Sequence, residues 1–180
     1  FTVIIDYAHT PDGLKNILST VGTFADGRVI ALFGCGGDRD KTKRPRMARI
    51  AAALADFAVL TSDNPRTEDP YAILRDAMPG LMESRTPFAV IEDRRRAIGF
   101  ALSEARSGDV IVLCGKGHET YQEIGTIKYH LDEREVVREL FAREQRKEAG
   151  PPAGGNEHED HHRLYSELRG IRDHGEISGP

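Results

Sequence analysis

Short apolar runs and longer amphipathic stretches alternate over most of the chain. Runs such as residues 2–5, 28–33 and 110–114 are rich in β-branched side chains, a composition that favours strands. Between them, stretches such as residues 11–24 place apolar residues three or four positions apart, which is typical of an amphipathic helix. The alternation predicts βαβ units, and therefore an α/β fold with a mostly parallel sheet and helices on both faces.

The same pattern predicts the order of the elements. Strands are expected at residues 2–5, 28–33, 57–61, 88–91 and 110–114, and helices at residues 11–24, 45–54, 71–81 and 94–105. Thr10 and Pro11 suit the N-cap and the first position of the first helix. A hairpin is expected at residues 120–129, with its turn at Gly125, and Asp132 can cap a last helix.

The composition changes after Lys147. Glycine and proline dominate residues 150–155, and apolar residues are sparse beyond them. Such a segment buries too little apolar surface to offset the entropy lost on ordering. The sequence therefore predicts one domain over residues 1–147 and a disordered tail over residues 148–180, with a short helix at residues 163–169 as an alternative inside the tail.

Composition and charge narrow the class of protein. With 180 residues, 39% of them hydrophobic and 30% charged, the chain fits an ordinary globular protein. A net charge of −4 argues against nucleic-acid binding, and no apolar run approaches the roughly 18 residues of a membrane span. Two cysteines and the lack of a signal-peptide pattern favour the cytoplasm. Because the chain opens on Phe1 and not on Met, it is expected to be a piece of a longer polypeptide.

The loops that follow the strands differ from the loops that precede them. Right-handed crossovers place all strand-to-helix loops at one edge of a parallel sheet. These loops read DYAHTP, GCGGDRDKTKR, SDNPRTEDP and GKGHET, and they are rich in charge, glycine and histidine, whereas the opposite loops are short. Ligands of open α/β sheets bind at the carboxyl ends of the strands, so this edge is the predicted site.

Two of these loops carry groups that suit anions and zwitterions. The glycines of GCGGDRDKTKR can present N–H groups to an anion, although the GxxxxGK[ST] spacing of a P-loop occurs nowhere in the chain. In DNPR, Asp63 can bind an ammonium and Arg66 can bind a carboxylate through its planar fork. The alternatives are a solvated loop for the first motif and a turn or helix cap for the second.

The other two loops add titratable side chains. GKGHE contributes Lys116, His118 and Glu119, and His118 is compatible with a base, a ligand or a plain surface histidine. DYAHTP contributes side chains that could hold a ribose or a base. No metal site is predicted: the histidine-rich run at residues 158–162 is interpreted as a solvated tail, and the two cysteines as buried, inert thiols.

Taken in order, the motifs DYAHTPDGL, FGCGGDRDKTKRP, TSDNPRTEDP and GKGHETYQ resemble the C-terminal domain of the Mur ligases. The resemblance covers residues 1–146 and is nearest to the ligases that add meso-diaminopimelate during peptidoglycan synthesis, in which DNPR is the typical version of the third motif. It implies a Rossmann-like domain, preceded in the complete enzyme by an N-terminal domain for the uridine nucleotide and a central P-loop domain.

The resemblance also implies a reaction and a set of contacts. In this family ATP, with Mg²⁺, phosphorylates the carboxylate of UDP-MurNAc-L-Ala-D-Glu, and the amine of meso-diaminopimelate then attacks the acyl phosphate. The implied diaminopimelate contacts are Arg39, Asp63, Asn64, Pro65, Arg66, Gly115 and Glu119, and the implied nucleotide contacts are Asp6, Tyr7 and His9. No catalytic residue is assigned to this domain. Two rivals stay open: another amide ligase of the folylpolyglutamate synthetase type, and a non-catalytic binding module.

Overall fold

Five parallel strands form the central sheet of the computed structural model, which describes the backbone of residues 1–148 and the side chains of residues 1–143. The strands lie in the order β1-β5-β2-β3-β4 and all four pairings are parallel. They span β1 Thr2–Asp6, β2 Val29–Cys35, β3 Phe57–Ser62, β4 Phe88–Val90 and β5 Val110–Cys114. The predicted α/β class and parallel sheet are confirmed.

Five helices and a separate hairpin complete the described part. The helices are α1 Pro11–Gly22, α2 Lys43–Leu54, α3 Pro70–Met82, α4 Arg94–Glu104 and α5 Glu133–Glu148, and the hairpin consists of β6 Tyr121–Ile124 and β7 Ile127–His130. Phe1–Arg143 form one compact unit. Residue 148, the first of the predicted tail, is the last residue of α5. The rest of the predicted tail, its alternative helix and the histidine-rich run lie outside the described residues.

Alternating side chains of the buried strands divide the core in two. Ala31 and Phe33 of β2 face one cluster, which holds the apolar sides of α1, α2 and α3. Ile30 and Leu32 face the other cluster, which holds α4 and the start of α5. Because both faces of the sheet are covered, the strands are apolar throughout instead of alternating with polar residues. The prediction of helices on both faces is confirmed.

The strand order places a crevice at the carboxyl end of β5. The neighbours β1 and β2 lead into helices on one face of the sheet, whereas β5 leads toward α5 on the other face. The loops on either side therefore diverge at this point, which is where open α/β sheets bind ligands. None of the described helices is both long and apolar enough to span a membrane.

Most element boundaries differ from the prediction by one or two residues, and two of the differences have a clear structural reason. Strand β2 continues two residues further, because Gly34 and Cys35 still pair with Thr61 and Ser62 of β3. Helix α2 begins at Lys43, before Pro45. Proline fits there because the first N–H groups of a helix have no intrahelical acceptor, so Pro45 loses no hydrogen bond.

Both cysteines lie at strand ends on the sheet. Cys35 and Cys114 are buried free thiols, as predicted. Burial raises the pKa of Cys35 to about 12, and burial also raises the pKa of Cys114 well above its ordinary range. Since the thiolate is the reactive form, neither group is suited to nucleophilic chemistry near neutral pH.

Candidate functional site

The carboxyl ends of β1, β2, β3 and β5 surround a cleft of about 230 Å³. Eight of the ten predicted contact residues line it: Tyr7, His9, Arg39, Asp63, Asn64, Arg66, Gly115 and Glu119. The fold therefore brings residues from four separated loops to one place. Their roles as ligand contacts stay a prediction.

The other two predicted residues do not line the cleft. Asp6 supports its wall: one carboxylate oxygen accepts from the amide of Ala8 at 2.8 Å, and the Asp6 carbonyl accepts from the amide of Gly115 at 3.0 Å. Pro65 is buried, and its carbonyl lies so close to Gly37 that a Cβ there would be 1.8 Å away. Both residues fix neighbouring loops in place.

Asn64 joins three segments of the chain through its side chain. Its Oδ1 accepts from Lys116 Nζ at 2.8 Å and from the amide of Glu123 at 2.9 Å, and its Nδ2 donates to Glu119 Oε2 at 3.1 Å. Only 4% of the residue is exposed. The Asn64 amide thus holds the GKGHE loop and the hairpin against the DNPR loop.

Lys116 is a buried cation inside the site that the predicted contacts omitted. Its side chain has no exposed surface, and Nζ lies 3.4 Å from Glu119 Oε2 and 3.7 Å from Asp63 Oδ1. Burial lowers the pKa of Lys116. The carboxylates of Asp63 and Glu119 partly oppose this decrease, whereas the guanidinium of Arg94 adds to it. The sequence signal was a lysine between two glycines directly after a buried strand.

Gly115 allows the Asp63 carboxylate to approach the end of β5. A Cβ at this position would lie 2.4 Å from Asp63 Oδ2, and the backbone has a φ of +116°, which side chains other than glycine rarely adopt. Glycine is therefore required here on two counts.

Arg66 is held in an uncommon conformation by the hairpin. Its φ is +52°, its amide donates to the Glu123 carbonyl at 3.1 Å, and its own carbonyl accepts from Gly125 at 2.7 Å. The guanidinium Nη1 donates to the Gly37 carbonyl at 2.8 Å, and Nε lies 3.2 Å from Glu123 Oε2. The hairpin thus fixes the guanidinium against the side of the cleft.

The glycines at the end of β2 and just after it allow close packing. A Cβ on Gly34 would lie 2.6 Å from the Thr61 carbonyl, and the amide of Gly37 donates to the Asn64 carbonyl at 2.9 Å. The Gly37 N–H is therefore occupied, and the prediction that this loop offers its glycine amides to an anion is wrong for that residue. The loop supplies cations instead: Arg39 is exposed on the cleft, with Nη1 donating to the Asp38 carbonyl at 3.0 Å.

Aromatic rings gather at one end of the cleft. Tyr7 packs against His9 with ring centroids 4.6 Å apart and against His118 at 5.0 Å. The rings are tilted relative to one another, and Tyr7 is 45% exposed, so this ring cluster faces solvent. A Cβ on Gly117 would lie 2.7 Å from the Tyr7 Cβ, which shows how closely the GKGHE loop approaches β1. Such a platform suits stacking with a planar base.

Arg44 is a second buried cation beside the cleft. Its Nη1 donates to Asp76 at 2.7 Å and its Nη2 donates to Glu68 at 2.7 Å, which ties α2 to α3 and to the segment after DNPR. Burial lowers the pKa of Arg44, but the two carboxylates outweigh that effect and the pKa is raised. The Arg44 hydrogen bond lowers the pKa of Glu68 from 4.5 to about 2, against an opposing effect of burial.

We expect Glu68→Gln to change how stability depends on pH. Because the folded pKa of Glu68 lies below its unfolded value, the pair stabilises the fold above pH 4.5, and this contribution is lost as the pH falls toward 2. At pH 7 the variant should lose about 1–2 kcal/mol, allowing for solvent screening of a partly exposed carboxylate. Urea unfolding at pH 7, 4 and 2.5 measures the difference, which should shrink in acid.

The matched control for this prediction is Glu83→Gln. Glu83 pairs with Arg49 on the surface, where both side chains are 51% exposed, so its variant should show a smaller pH dependence. If the loss of stability changed equally with pH in the two variants, the pH dependence could not be assigned to Glu68.

Among residues 1–143, no group of three or more metal-binding side chains lies close enough to hold an ion. The cleft itself presents charged groups of both signs: carboxylates at Asp63 and Glu119, and guanidinium groups at Arg39 and Arg66, around one opening.

Comparison with known proteins identifies the family. Residues 1–117 match the Mur ligase, glutamate ligase domain. The chain belongs to the Mur ligase family. The four loop motifs that resembled the Mur ligase C-terminal domain are the loops that surround the cleft.

Individual Mur ligases are similar over most of the chain. The chain is 57% identical over 141 residues to the UDP-N-acetylmuramoyl-L-alanyl-D-glutamate--2,6-diaminopimelate ligase of Gloeobacter violaceus, covering 78% of this chain and 29% of that protein. It is 53% identical over 146 residues to the ligase of the same name from Caldanaerobacter subterraneus subsp. tengcongensis, covering 81% of this chain and 30% of that protein. The chain thus spans about three tenths of these relatives.

A solved structure supports the fold. A UDP-N-acetylmuramoyl-L-alanyl-D-glutamate--2,6-diaminopimelate ligase structure superposes with a TM-score of 0.77 at 44% identity, covering 80% of this chain and 30% of that one. The Mur ligase C-terminal fold and the described fold are therefore the same.

Proposed function

We propose that this chain is the amino-acid-binding domain of an ATP-dependent ligase that adds meso-diaminopimelate to UDP-MurNAc-L-Ala-D-Glu. The observation that carries the proposal is the pairing of opposite charges in one cleft: Asp63 and Glu119 next to Arg39 and Arg66. Diaminopimelate carries ammonium and carboxylate groups at both ends, so its recognition needs both kinds of partner. The names of the similar ligases support the same substrate.

Each group has a proposed role in this binding. Asp63 and Glu119 bind the ammonium at the distal end, and Arg39 and Arg66 bind carboxylates, with Arg66 suited to a bidentate contact. Gly115 keeps the end of β5 clear for the Asp63 carboxylate. Asn64 and Pro65 shape the DNPR loop from within, since both are buried.

The nucleotide meets this domain at the ring cluster of Tyr7, His9 and His118. Tyr7 and His9 line the cleft with exposed rings, and Asp6 holds the loop that carries them. ATP and Mg²⁺ are bound mainly by the central domain of the ligase, because the 180 residues contain no GxxxxGK[ST] loop. The phosphoryl group passes to the substrate carboxylate and ADP leaves. The amine then forms the amide, loses a proton and displaces phosphate. This reaction belongs to the cytoplasm, where the nucleotide substrates are made.

A domain graft tests the proposal. This chain replaces the matching segment of the Gloeobacter violaceus ligase, to give a grafted ligase, and ADP release is followed with purified substrates. We expect release that depends on meso-diaminopimelate, little release with lysine, and none from the chain alone with ATP and Mg²⁺.

Other outcomes would overturn the proposal. Release with glutamate in place of diaminopimelate would favour a folylpolyglutamate-type ligase. If calorimetry showed that the isolated chain binds diaminopimelate while the grafted ligase was folded but inactive, the chain would be a binding module. ATP turnover by the isolated chain would contradict the proposal that ATP and Mg²⁺ are bound mainly by the central domain.

A further inference from the structure

Lys116 brings a full positive charge into the part of the cleft proposed for an ammonium. It follows β5 directly, its side chain is completely buried, and its Nζ lies within 3.7 Å of oxygen atoms of Asp63, Asn64 and Glu119. Lysines are almost never fully buried unless they are paired, because removing the ammonium from water is costly. The Lys116 ammonium thus lies among carboxylates that are proposed to bind the substrate ammonium, and this arrangement needs a physical explanation.

Counting the buried charges supplies the reason. Asp63 and Glu119 contribute two negative charges, and Lys116 contributes one positive charge. Arg94 lies behind them, but its Nε donates to Glu133 at 2.8 Å, and both of these side chains have no exposed surface. That pair is neutral as a whole, so the cluster of Asp63, Glu119 and Lys116 has a net charge of −1.

Lys116 also fixes the geometry of the two carboxylates. Its shortest contact, 2.8 Å to Asn64 Oδ1, joins the GKGHE loop to the DNPR loop across 52 positions of sequence. The centroid of the Tyr121 ring lies 5.8 Å from Nζ. The Lys116 ammonium therefore has neighbours in the DNPR loop, in its own loop and in the hairpin.

We infer that Lys116 is a positioning residue for the ammonium subsite: it holds Asp63 and Glu119 in place and leaves one negative charge between them for one substrate ammonium. The inference rests on the proposed function for the identity of that ammonium. The arrangement of the three side chains is independent of it. Without Lys116, the subsite would carry two negative charges, which repel each other and exceed the single positive charge of the substrate ammonium.

The test compares Lys116→Met with Lys128→Met in the grafted ligase. Methionine replaces the side chain of lysine up to Cε with an unbranched apolar chain and removes the charged Nζ. Lys128 is the matched control because its ammonium lies 4.0 Å from the centroid of the same Tyr121 ring, but on the exposed strand β7. We expect Lys116→Met to raise the Michaelis constant for meso-diaminopimelate by about tenfold or more, with the constant for ATP unchanged and Lys128→Met close to the parent.

A purely structural role is tested with urea unfolding of the 180-residue chain. Lys116→Met should lower the urea midpoint at pH 7 by roughly 1 M, because the two carboxylates then repel each other with no cation between them. Lost packing alone would also lower the midpoint, but removing one of the negative charges would then not restore it.

A double variant checks the charge balance directly. Glu119→Gln in the Lys116→Met background returns the cluster to a net charge of −1, and the amide oxygen can still accept from Asn64 Nδ2. We expect the double variant to recover much of the lost urea midpoint. If Lys116→Met does not fold, a folded double variant supports the inference, and a double variant that also fails to fold overturns it.

The outcomes separate the two proposals. A parent graft that ignores diaminopimelate refutes the proposed function, while the urea series still decides the role of Lys116. A parent graft that uses diaminopimelate, with equal Michaelis constants for Lys116→Met and Lys128→Met, overturns the inference alone. So does a midpoint loss that Glu119→Gln does not restore in the Lys116→Met background.

Discussion

Arg66→Ala is expected to raise the Michaelis constant for meso-diaminopimelate by at least about tenfold in the grafted ligase. Diaminopimelate has one more carboxylate than lysine, so selection of diaminopimelate over lysine requires a group that pairs with that carboxylate. Removing one partner of a buried charge pair costs about 2–5 kcal/mol, and about 1.4 kcal/mol corresponds to tenfold in affinity. The lower end applies here because 21% of the Arg66 side chain is exposed.

The surroundings of Arg66 make this substitution specific. Its backbone is held by Glu123 and Gly125, and both hydrogen bonds remain in the alanine variant, so the loop should keep its course. Arg66→Lys should recover only part of the loss, because an ammonium cannot reproduce the bidentate fork. Steady-state kinetics with ATP and diaminopimelate varied separately should show the change for diaminopimelate alone.

Arg75→Ala is the matched control for Arg66→Ala. Arg75 also pairs with a carboxylate, that of Asp69, but it lies on α3 and its side chain is 67% exposed. We expect its kinetic constants to equal those of the parent. An unchanged diaminopimelate constant in Arg66→Ala would mean that DNPR is only a turn and that another loop selects the amino acid.

Gly37→Ala is expected to weaken both the fold and the site. A Cβ on Gly37 would lie 1.8 Å from the Pro65 carbonyl, which is backbone and cannot rotate away. Forced separation of these two loops should cost about 1–3 kcal/mol in the free energy of unfolding. It should also displace Arg66, whose Nη1 donates to the Gly37 carbonyl. Urea unfolding and the Michaelis constant for diaminopimelate measure the two effects.

Gly22→Ala supplies the comparison for Gly37→Ala. Gly22 ends α1, and nothing lies within 4 Å of a Cβ built there. Alanine is favoured over glycine in helices, so this variant should be neutral or up to about 1 kcal/mol more stable. If Gly37→Ala unfolded at the same urea concentration as Gly22→Ala, the contact between the two loops would not stabilise the fold.

Much of the fold follows from the sequence pattern alone. Five apolar strands, the helices between them and the hairpin all lie where periodicity placed them, with end shifts of a few residues. Periodicity predicts these elements because a helix buried on one face has apolar residues three or four positions apart, and a strand covered on both faces is a continuous apolar run. The sheet edge that carries the cleft was likewise predictable, because right-handed crossovers fix where the loops lie.

The inner arrangement of the site was decided by the tertiary structure. The pairing of Lys116 with Asn64, and the hairpin contacts that hold Arg66 at positive φ, join segments distant in sequence. No local pattern reports such contacts, since a buried lysine and a surface lysine look alike in a sequence. The sequence by itself determined which loops meet and which charges they carry. Only the packing of those loops decided which charges neutralise each other and which face the cleft, because that depends on distances of a few ångströms between backbones that come together only in the folded chain.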